Sequence, residues 1–260
     1  MKQLLKKIFK QQLQKLSIAR IKTIEDIFHH YEMQRSTIRF LQVGANDGVN
    51  NDPTAEFKLH LKWSGIFLEP QLGPFKLLKK NFPHERYVCV NAAMDSISGS
   101  RHLYKMAFSD SPMANGLSTF NEETMKRFFD TGYAQEVADE IGMTLELNEP
   151  NSWKKYVAQD SVTTISFSDL KSIHDNQNFN VILIDTEGFD AQIIDMISIS
   201  PRLDIVLFEN AHLNKDDYNR SVQKLKKSGF TVMDIKSDTD IKADTVAFRN
   251  IYLPVFSSKF

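Results

Sequence analysis

Acids and amides fall just past the ends of apolar runs in this chain, where they could act on a ligand. Asn46 and Asp47 follow the run at 38–43, and Glu69 follows the run at 66–68. Asn91 and Ala92 close the run that begins at Tyr87. Asp185 and Glu187 follow residues 180–184; Glu209 and Asn210 follow residues 203–208, with His212 just beyond. Carboxylates accept hydrogen bonds from hydroxyls, take up protons and ligate hard cations. Open α/β sheets bind ligands at the carboxyl ends of their strands, so these residues would share one cleft.

The sharpest local pattern is Gly44-Ala45-Asn46-Asp47-Gly48. A strand, a glycine turn, a helix and a second strand tipped by an acid is the layout of a nucleoside-binding crossover. The glycines let backbone approach a ligand, and Glu69 can accept both ribose hydroxyls. Dinucleotide sites use G-x-G-x-x-G, because a pyrophosphate sits on the helix N-terminus. Here the spacing is G-x-x-x-G, and Asp47 inside the turn would repel a pyrophosphate. A cofactor with an ammonium or sulfonium group suits the turn better, and S-adenosylmethionine carries both. An ordinary strand-to-helix turn would carry the same glycines; Glu69 at the next strand tip argues against that reading.

Asp185-Thr186-Glu187-Gly188-Phe189-Asp190 is the second informative stretch. Gly188 permits a tight turn, and Asp190 is placed to cap the helix that follows. Asp185 and Glu187 cannot both be caps, so at least one faces the cleft. A salt bridge within the fold is the other reading of Glu187.

The elements that must hold these residues alternate. Strands are expected at 38–43, 66–69, 87–92, 161–165, 180–185 and 203–209, with a short extra strand at 99–104. Helices are expected at 53–63, 74–82, 168–173, 190–197 and 216–227. Residues 230–235 and 245–250 read as a closing hairpin. Alternating strands and helices imply a mostly parallel sheet covered on both faces, here with an antiparallel edge. The rhythm breaks at about 106–159, where 124–129 and 134–141 read as helices in an insertion. Such an insertion is a substrate cover or a helical appendage. Its aromatics Phe128, Phe129 and Tyr133 would form either its own core or an interface in a homo-oligomer.

Composition narrows the class. At 260 residues, 42% hydrophobic and 25% charged, the chain fits one α/β domain with an insertion. A net charge of -1 gives no footprint for nucleic acid. The single cysteine, Cys89, excludes an intrachain disulfide framework and reads as a buried strand thiol. No apolar run is long enough to span a bilayer and none has the character of a signal peptide, so a cytoplasmic location is expected. Residues 1–24 carry seven basic side chains and no acid, with Leu4, Leu5, Ile8, Leu13 and Leu16 roughly on one helical face. A segment 1–35 of this kind either packs on the main domain, residues 36–260, or makes a peripheral membrane contact.

The strings Val43-Gly44-Ala45-Asn46-Asp47-Gly48, Phe67-Leu68-Glu69-Pro70, Ile184-Asp185-Thr186-Glu187-Gly188-Phe189-Asp190 and Phe208-Glu209-Asn210-Ala211-His212-Leu213 resemble the FkbM family of S-adenosylmethionine-dependent methyltransferases. The resemblance runs from about 38 to 248 and leaves out the N-terminal segment and the insertion. It implies a Rossmann-like class I methyltransferase fold with a seven-stranded sheet, and O-methylation, often of sugars in polysaccharide pathways. Carried over, Gly44, Asn46 and Gly48 would shape the methionine end of the cofactor site, beside Asp47. Glu69 would hold the ribose, and Asn91 and Ala92 would lie near the adenine. Asp185 and Glu187 would sit nearest the methyl group and the acceptor, a nucleotide-linked or glycan sugar.

Methyl transfer to a hydroxyl needs alignment with the sulfonium methyl and removal of the hydroxyl proton. His212, Asp185 and Glu209 are the candidates for the base. In a second mechanism Asp185, Glu209 and Asn210 supply oxygen ligands to magnesium, which would bind the acceptor hydroxyl and lower its pKa. Two other function classes compete. A nicotinamide-dependent oxidoreductase is opposed by the missing G-x-G-x-x-G. A catalytically degenerate binding protein is opposed by the intact Gly44, Gly48, Glu69, Asp185 and Glu187.

Overall fold

A computed structural model describes residues 23–174, 178–236 and 243–249. In chain order the elements of the main sheet begin with α1 (Ile24–Met33), β1 (Ile38–Val43), α2 (Ala55–Leu59), β2 (Trp63–Leu68), α3 (Leu72–Asn81) and β3 (Tyr87–Val90). A two-residue strand β4 (Ala93–Met94) and β5 (Gly99–Met106) follow, then α4 (Pro112–Gly116), α5 (Glu122–Asp130) and α6 (Tyr133–Asp139). After a 3-10 turn at Ser152–Tyr156 come β6 (Val157–Ile165), α7 (Phe167–Ile173), β7 (Val181–Ile184), α8 (Asp190–Met196), β8 (Ile205–Glu209) and α9 (Lys215–Lys227). The hairpin β9 (Phe230–Lys236) and β10 (Ala243–Arg249) completes the series.

The main sheet runs β3-β2-β1-β7-β8-β10-β9. All pairs are parallel except those of β10, which is antiparallel to both β8 and β9. Strand order reverses between β1 and β7, and the crevice at that point is where such sheets bind ligands. Period-two alternation builds both faces. Phe40, Phe67, Leu183 and Leu207 point to one layer with Phe28 of α1 and Trp63. Leu41, Leu68, Ile184 and Phe208 point to the other, with Ile193 of α8 and Leu225 of α9.

Helix ends follow local chemistry. Thr23 and Asp26 form a reciprocal capping box at α1. Asn214 caps α9, with Asp216 and Asp217 in the first turn and Lys224, Lys226 and Lys227 in the last, as the helix dipole favours. α2 is five residues long, shorter than the 53–63 expected. His60 is extended, and Trp63, fully buried against Phe28, Phe40 and Phe57, already begins β2.

The described part of the expected N-terminal segment belongs to the core. Ile24, Ile27, Phe28 and Tyr31 are buried there, and the Tyr31 hydroxyl donates to Asp204 at 2.7 Å. The basic residues before it and the apolar Leu4, Leu5, Ile8, Leu13 and Leu16 lie outside the described residues. No helix among the described residues is long and apolar enough to cross a membrane.

The insertion hangs from a second sheet, β4-β6-β5, in which β5 and β6 are antiparallel. The expected strand at 161–165 is the end of the nine-residue β6. Phe128 and Phe129, with Met125, Val137 and Trp153, form the insertion's own core, and Tyr133 packs against it.

Candidate active site

Three strand tips are cinched together at the crevice. The backbone N–H groups of Gly44 and Ala45 donate to the Leu68 carbonyl at 3.1 and 3.0 Å, and Asp185 N–H donates to the Val43 carbonyl at 3.0 Å. Gly44 has a φ of +78°, and a Cβ there would lie 1.7 Å from the Asp185 carbonyl oxygen. Only glycine fits that approach.

Glu69 sits at the tip of β2 and is 3% exposed. Its two carboxylate oxygens accept the backbone N–H of Asn46 and of Gln71, each at 2.8 Å. Burial pushes its pKa up to about 7, against the opposing pull of these two donors. Asn46, whose N–H reaches that acid, adopts a left-handed backbone, φ 48°.

A cavity of about 420 Å³ opens beside this knot. Gly44, Asn46, Glu69, Asp185, Glu187 and Glu209 line it, together with Asp52 and Asp244. Its roof comes from the insertion: Pro112, Met113, 115–118, Phe120 and Tyr133. Among the described lining residues none is Lys, Arg or His.

Four expected cofactor contacts lie off this cavity. Asp47 accepts the N–H groups of Val49 and Asn50 at 2.9 and 2.8 Å, so its carboxylate closes its own turn. Gly48 packs so closely on Phe82 and Leu78 that a Cβ would meet them at 2.5 and 2.8 Å. Asn91 donates to the Glu69 and Pro70 carbonyls at 2.8 and 2.9 Å. With Asp47 it lines an adjoining groove of about 630 Å³ that shares Asn46, Pro70 and Gln71 with the cavity. Ala92 is 1% exposed and belongs to the core.

The acceptor end gathers Glu187, Glu209 and His212, all buried. Glu187 Oε2 is 3.0 Å from His212 Nε2, and Glu209 Oε1 is 4.0 Å from the same nitrogen. Glu187 reaches this position through a left-handed backbone, φ 50°, and the Thr119 hydroxyl donates to its carbonyl at 2.8 Å. His212 is wedged by Phe128, ring centroids 5.1 Å apart and perpendicular at 90°. Asp185 is exposed into the cavity. The amide nitrogen of Asn210 donates to Thr245 Oγ1 at 2.7 Å, turned toward β10. The cluster whose potential ligand atoms lie within 4.8 Å of one another is therefore Glu187, Glu209 and His212, and Asp185 is not in it.

Asp190 departs from its expected role. It is fully buried at the start of α8, accepts the Thr186 hydroxyl at 3.0 Å, and makes no cap at the position before the helix. Burial raises its pKa to about 7, and the neighbouring charge of Glu187 adds to this.

Two positions were not singled out from sequence. Gln71 Nε2 donates to the Asn115 carbonyl at 2.8 Å, and Ser118 Oγ donates to Gln71 Oε1 at 3.2 Å, which ties the Glu69 loop to the insertion. Lys58, fully buried, pairs with Asp52 and donates to Gln42 Oε1 at 2.6 Å beneath the cavity floor. A polar run of Asp52 and Lys58 six apart carries no signal of burial; only the position of Gln42 on an otherwise apolar strand hints at it.

The family model of the methyltransferase FkbM domain matches residues 42–232. No curated protein sequence matches the chain. Among solved structures, a precorrin-6y C5,15-methyltransferase from Geobacter metallireducens is similar over 88% of this chain and 89% of its own, at 10% identity and a TM-score of 0.39. A ribosomal protein L11 methylase from Lactobacillus delbrueckii subsp. bulgaricus is similar over 92% of this chain and 78% of its own, at 10% identity and 0.38. A fibrillarin from Aeropyrum pernix, in complex with S-adenosyl-L-methionine, covers 82% of this chain and 67% of its own, at 8% identity and 0.39.

Proposed function

The chain belongs to the FkbM-domain methyltransferase family, and on that premise we propose that it transfers a methyl group from S-adenosylmethionine to a hydroxyl of a glycan sugar or similar neutral polyol. Membership and the Rossmann-like seven-stranded sheet make it an S-adenosylmethionine-dependent methyltransferase of class I fold. The residues present fit that cofactor. Gly44 leaves the β1 turn bare of any side chain, and each Glu69 oxygen retains a lone pair beyond its backbone donor for a ribose hydroxyl.

The observation that carries the acceptor class is the lining of the cavity. Asp185, Glu187 and Glu209 line it together with Phe120, Phe189 and Tyr133. Hydrogen-bond acceptors set among aromatic residues suit a polyhydroxylated ring. The absence of Lys, Arg and His from the described lining favours a neutral glycan sugar over a nucleotide-linked one, whose phosphates need cationic partners.

S-adenosylmethionine supplies the electrophilic methyl group when bound. The chain's part is to align the acceptor oxygen and take its proton. Glu187 and Glu209 line the cavity and can accept that proton, whereas His212 does not line it and packs behind Glu187, its Nε2 3.0 Å from Glu187 Oε2. His212 is thus a positioning residue in this reading.

Calorimetric titration with S-adenosylhomocysteine tests the cofactor assignment, and Glu69→Ala should weaken binding at least ten-fold. Mass spectrometry of neutral glycosides and their nucleotide-linked counterparts, each incubated with S-adenosylmethionine, tests the acceptor. Methylation confined to the nucleotide-linked sugars would overturn the neutral-acceptor reading.

A further inference from the structure

We propose that Glu187, Glu209 and His212 bind a divalent first-row transition-metal ion. The set is two carboxylates and an imidazole, each under one-tenth exposed, with the candidate ligand atoms all within 4.8 Å of one another. Donors of this mixed kind suit manganese or zinc better than the oxygen-only magnesium site expected from Asp185, Glu209 and Asn210.

A second observation points to a ligand between them. Glu187 Oε2 is buried and makes no hydrogen bond, although it stands 3.0 Å from His212 Nε2. The two atoms are at contact distance with no hydrogen bond between them. An octahedral ion with bonds of about 2.1 Å holds adjacent ligands about 3.0 Å apart and opposite ligands about 4.2 Å apart. Of the separations from Nε2, the 3.0 Å to Glu187 is that of an adjacent pair and the 4.0 Å to Glu209 lies within the span of an opposite pair.

The surroundings hold the set rigidly. Phe128 and Tyr133 stand edge-on to the imidazole, and the Arg127 guanidinium donates to the His212 carbonyl at 3.4 Å. Gly188 is packed so that a Cβ would meet Thr124 Oγ1 at 3.0 Å and His212 at 3.4 Å. Glu187 and Glu209 are also among the residues that line the cavity, so an ion held by them would lie beside the space an acceptor hydroxyl would occupy. That last role rests on the methyl-transfer reading; the site itself does not.

The test is titration of the chelator-stripped full chain with Mn²⁺, followed by electron paramagnetic resonance. One ion per chain is expected, with imidazole-nitrogen coupling in the spin-echo spectrum. Glu187→Gln and His212→Gln should each weaken binding at least ten-fold, and Asp185→Asn should leave it unchanged. S-adenosylhomocysteine titration of the same samples reports folding and the cofactor site separately. Failure to bind one Mn²⁺, absence of nitrogen coupling, or affinity that survives His212→Gln or is lost with Asp185→Asn would overturn the site. Failure of S-adenosylhomocysteine binding alone would count against the methyltransferase reading and not against the metal.

Discussion

Glu69 at the tip of β2 accepts the backbone N–H of Asn46, on the β1 turn, at 2.8 Å. Asn46 is left-handed, two residues after the left-handed Gly44, in the tight turn that brings its N–H to Glu69. The contact makes one carboxylate serve both as a staple for the cofactor turn and as the acceptor expected for ribose. That carboxylate is nearly dry, and burial lifts its pKa to about 7.

Cofactor affinity should therefore depend on pH. An ionised Glu69 accepts ribose hydroxyls and a protonated one gives up an acceptor position. Affinity for S-adenosylhomocysteine should rise as pH increases through about 7 and level off above it. Below that pH, binding should release a proton, read as a dependence of the calorimetric heat on buffer ionisation. Glu69→Gln should bind weakly with no such dependence.

Stability should run the opposite way. Glu69 and Asp190 both titrate near 7 in the folded chain, above their ordinary values of 4.5 and 3.8. The folded state then holds protons that the unfolded state has lost. Their contribution is full below the unfolded values and is lost as pH rises through 7. Urea unfolding of the cofactor-free chain should show stability falling between about pH 4 and 7. Glu69→Gln should flatten that fall by an amount on the order of 3 kcal/mol, for a rise from 4.5 to about 7.

The backbone at the crevice tolerates no side chain at position 44. Gly44→Ala would place a Cβ 1.7 Å from the Asp185 carbonyl and force an L-residue to hold φ near +78°. The β1–β7 junction must open to relieve this. The expected result is loss of S-adenosylhomocysteine binding and a destabilisation above about 3 kcal/mol, measured by thermal melting and calorimetry.

Much of this frame could be read from residue order. Phe40 beside Leu41, and Leu183 beside Ile184, alternate between two buried layers, and acids follow each run because strand ends meet solvent or ligand there. Side-chain direction within turns was not legible. Asp47 turns back on Val49 and Asn50, and Asp190 turns on Thr186, choices set by local hydrogen bonds that a one-letter pattern does not encode. The encounter of Glu187 with His212 depends on a left-handed residue and on packing by Phe128 of the insertion, both tertiary effects. The pairing of β5 with β6 spans an insertion between them, so their mutual register had no local signal.

Beneath the floor, Lys58 is fully buried against Asp52. Burial works against both charges, and Lys58 nonetheless holds the Asp52 carboxyl below its usual value. Removing one partner leaves the other charge stranded. Lys58→Met should cost about 3–5 kcal/mol in urea unfolding, and adding Asp52→Asn should recover most of it. Additive losses in the double variant would mean that the pair is not coupled.

Gln71 joins the two halves of the cavity. Its backbone N–H serves Glu69, while its side chain donates to Asn115 and accepts from Ser118 on the roof. A cofactor ribose at Glu69 would bear directly on that loop, so the roof should respond to cofactor binding. In hydrogen exchange, amides across 112–118 should slow when S-adenosylhomocysteine binds. Gln71→Ala retains its backbone donor to Glu69, so cofactor affinity should change by less than about three-fold, whereas the slowing over 112–118 should disappear. If 112–118 exchange is equally protected in the variant, the roof is held by its own core of Met125, Phe128 and Trp153 and owes nothing to Gln71.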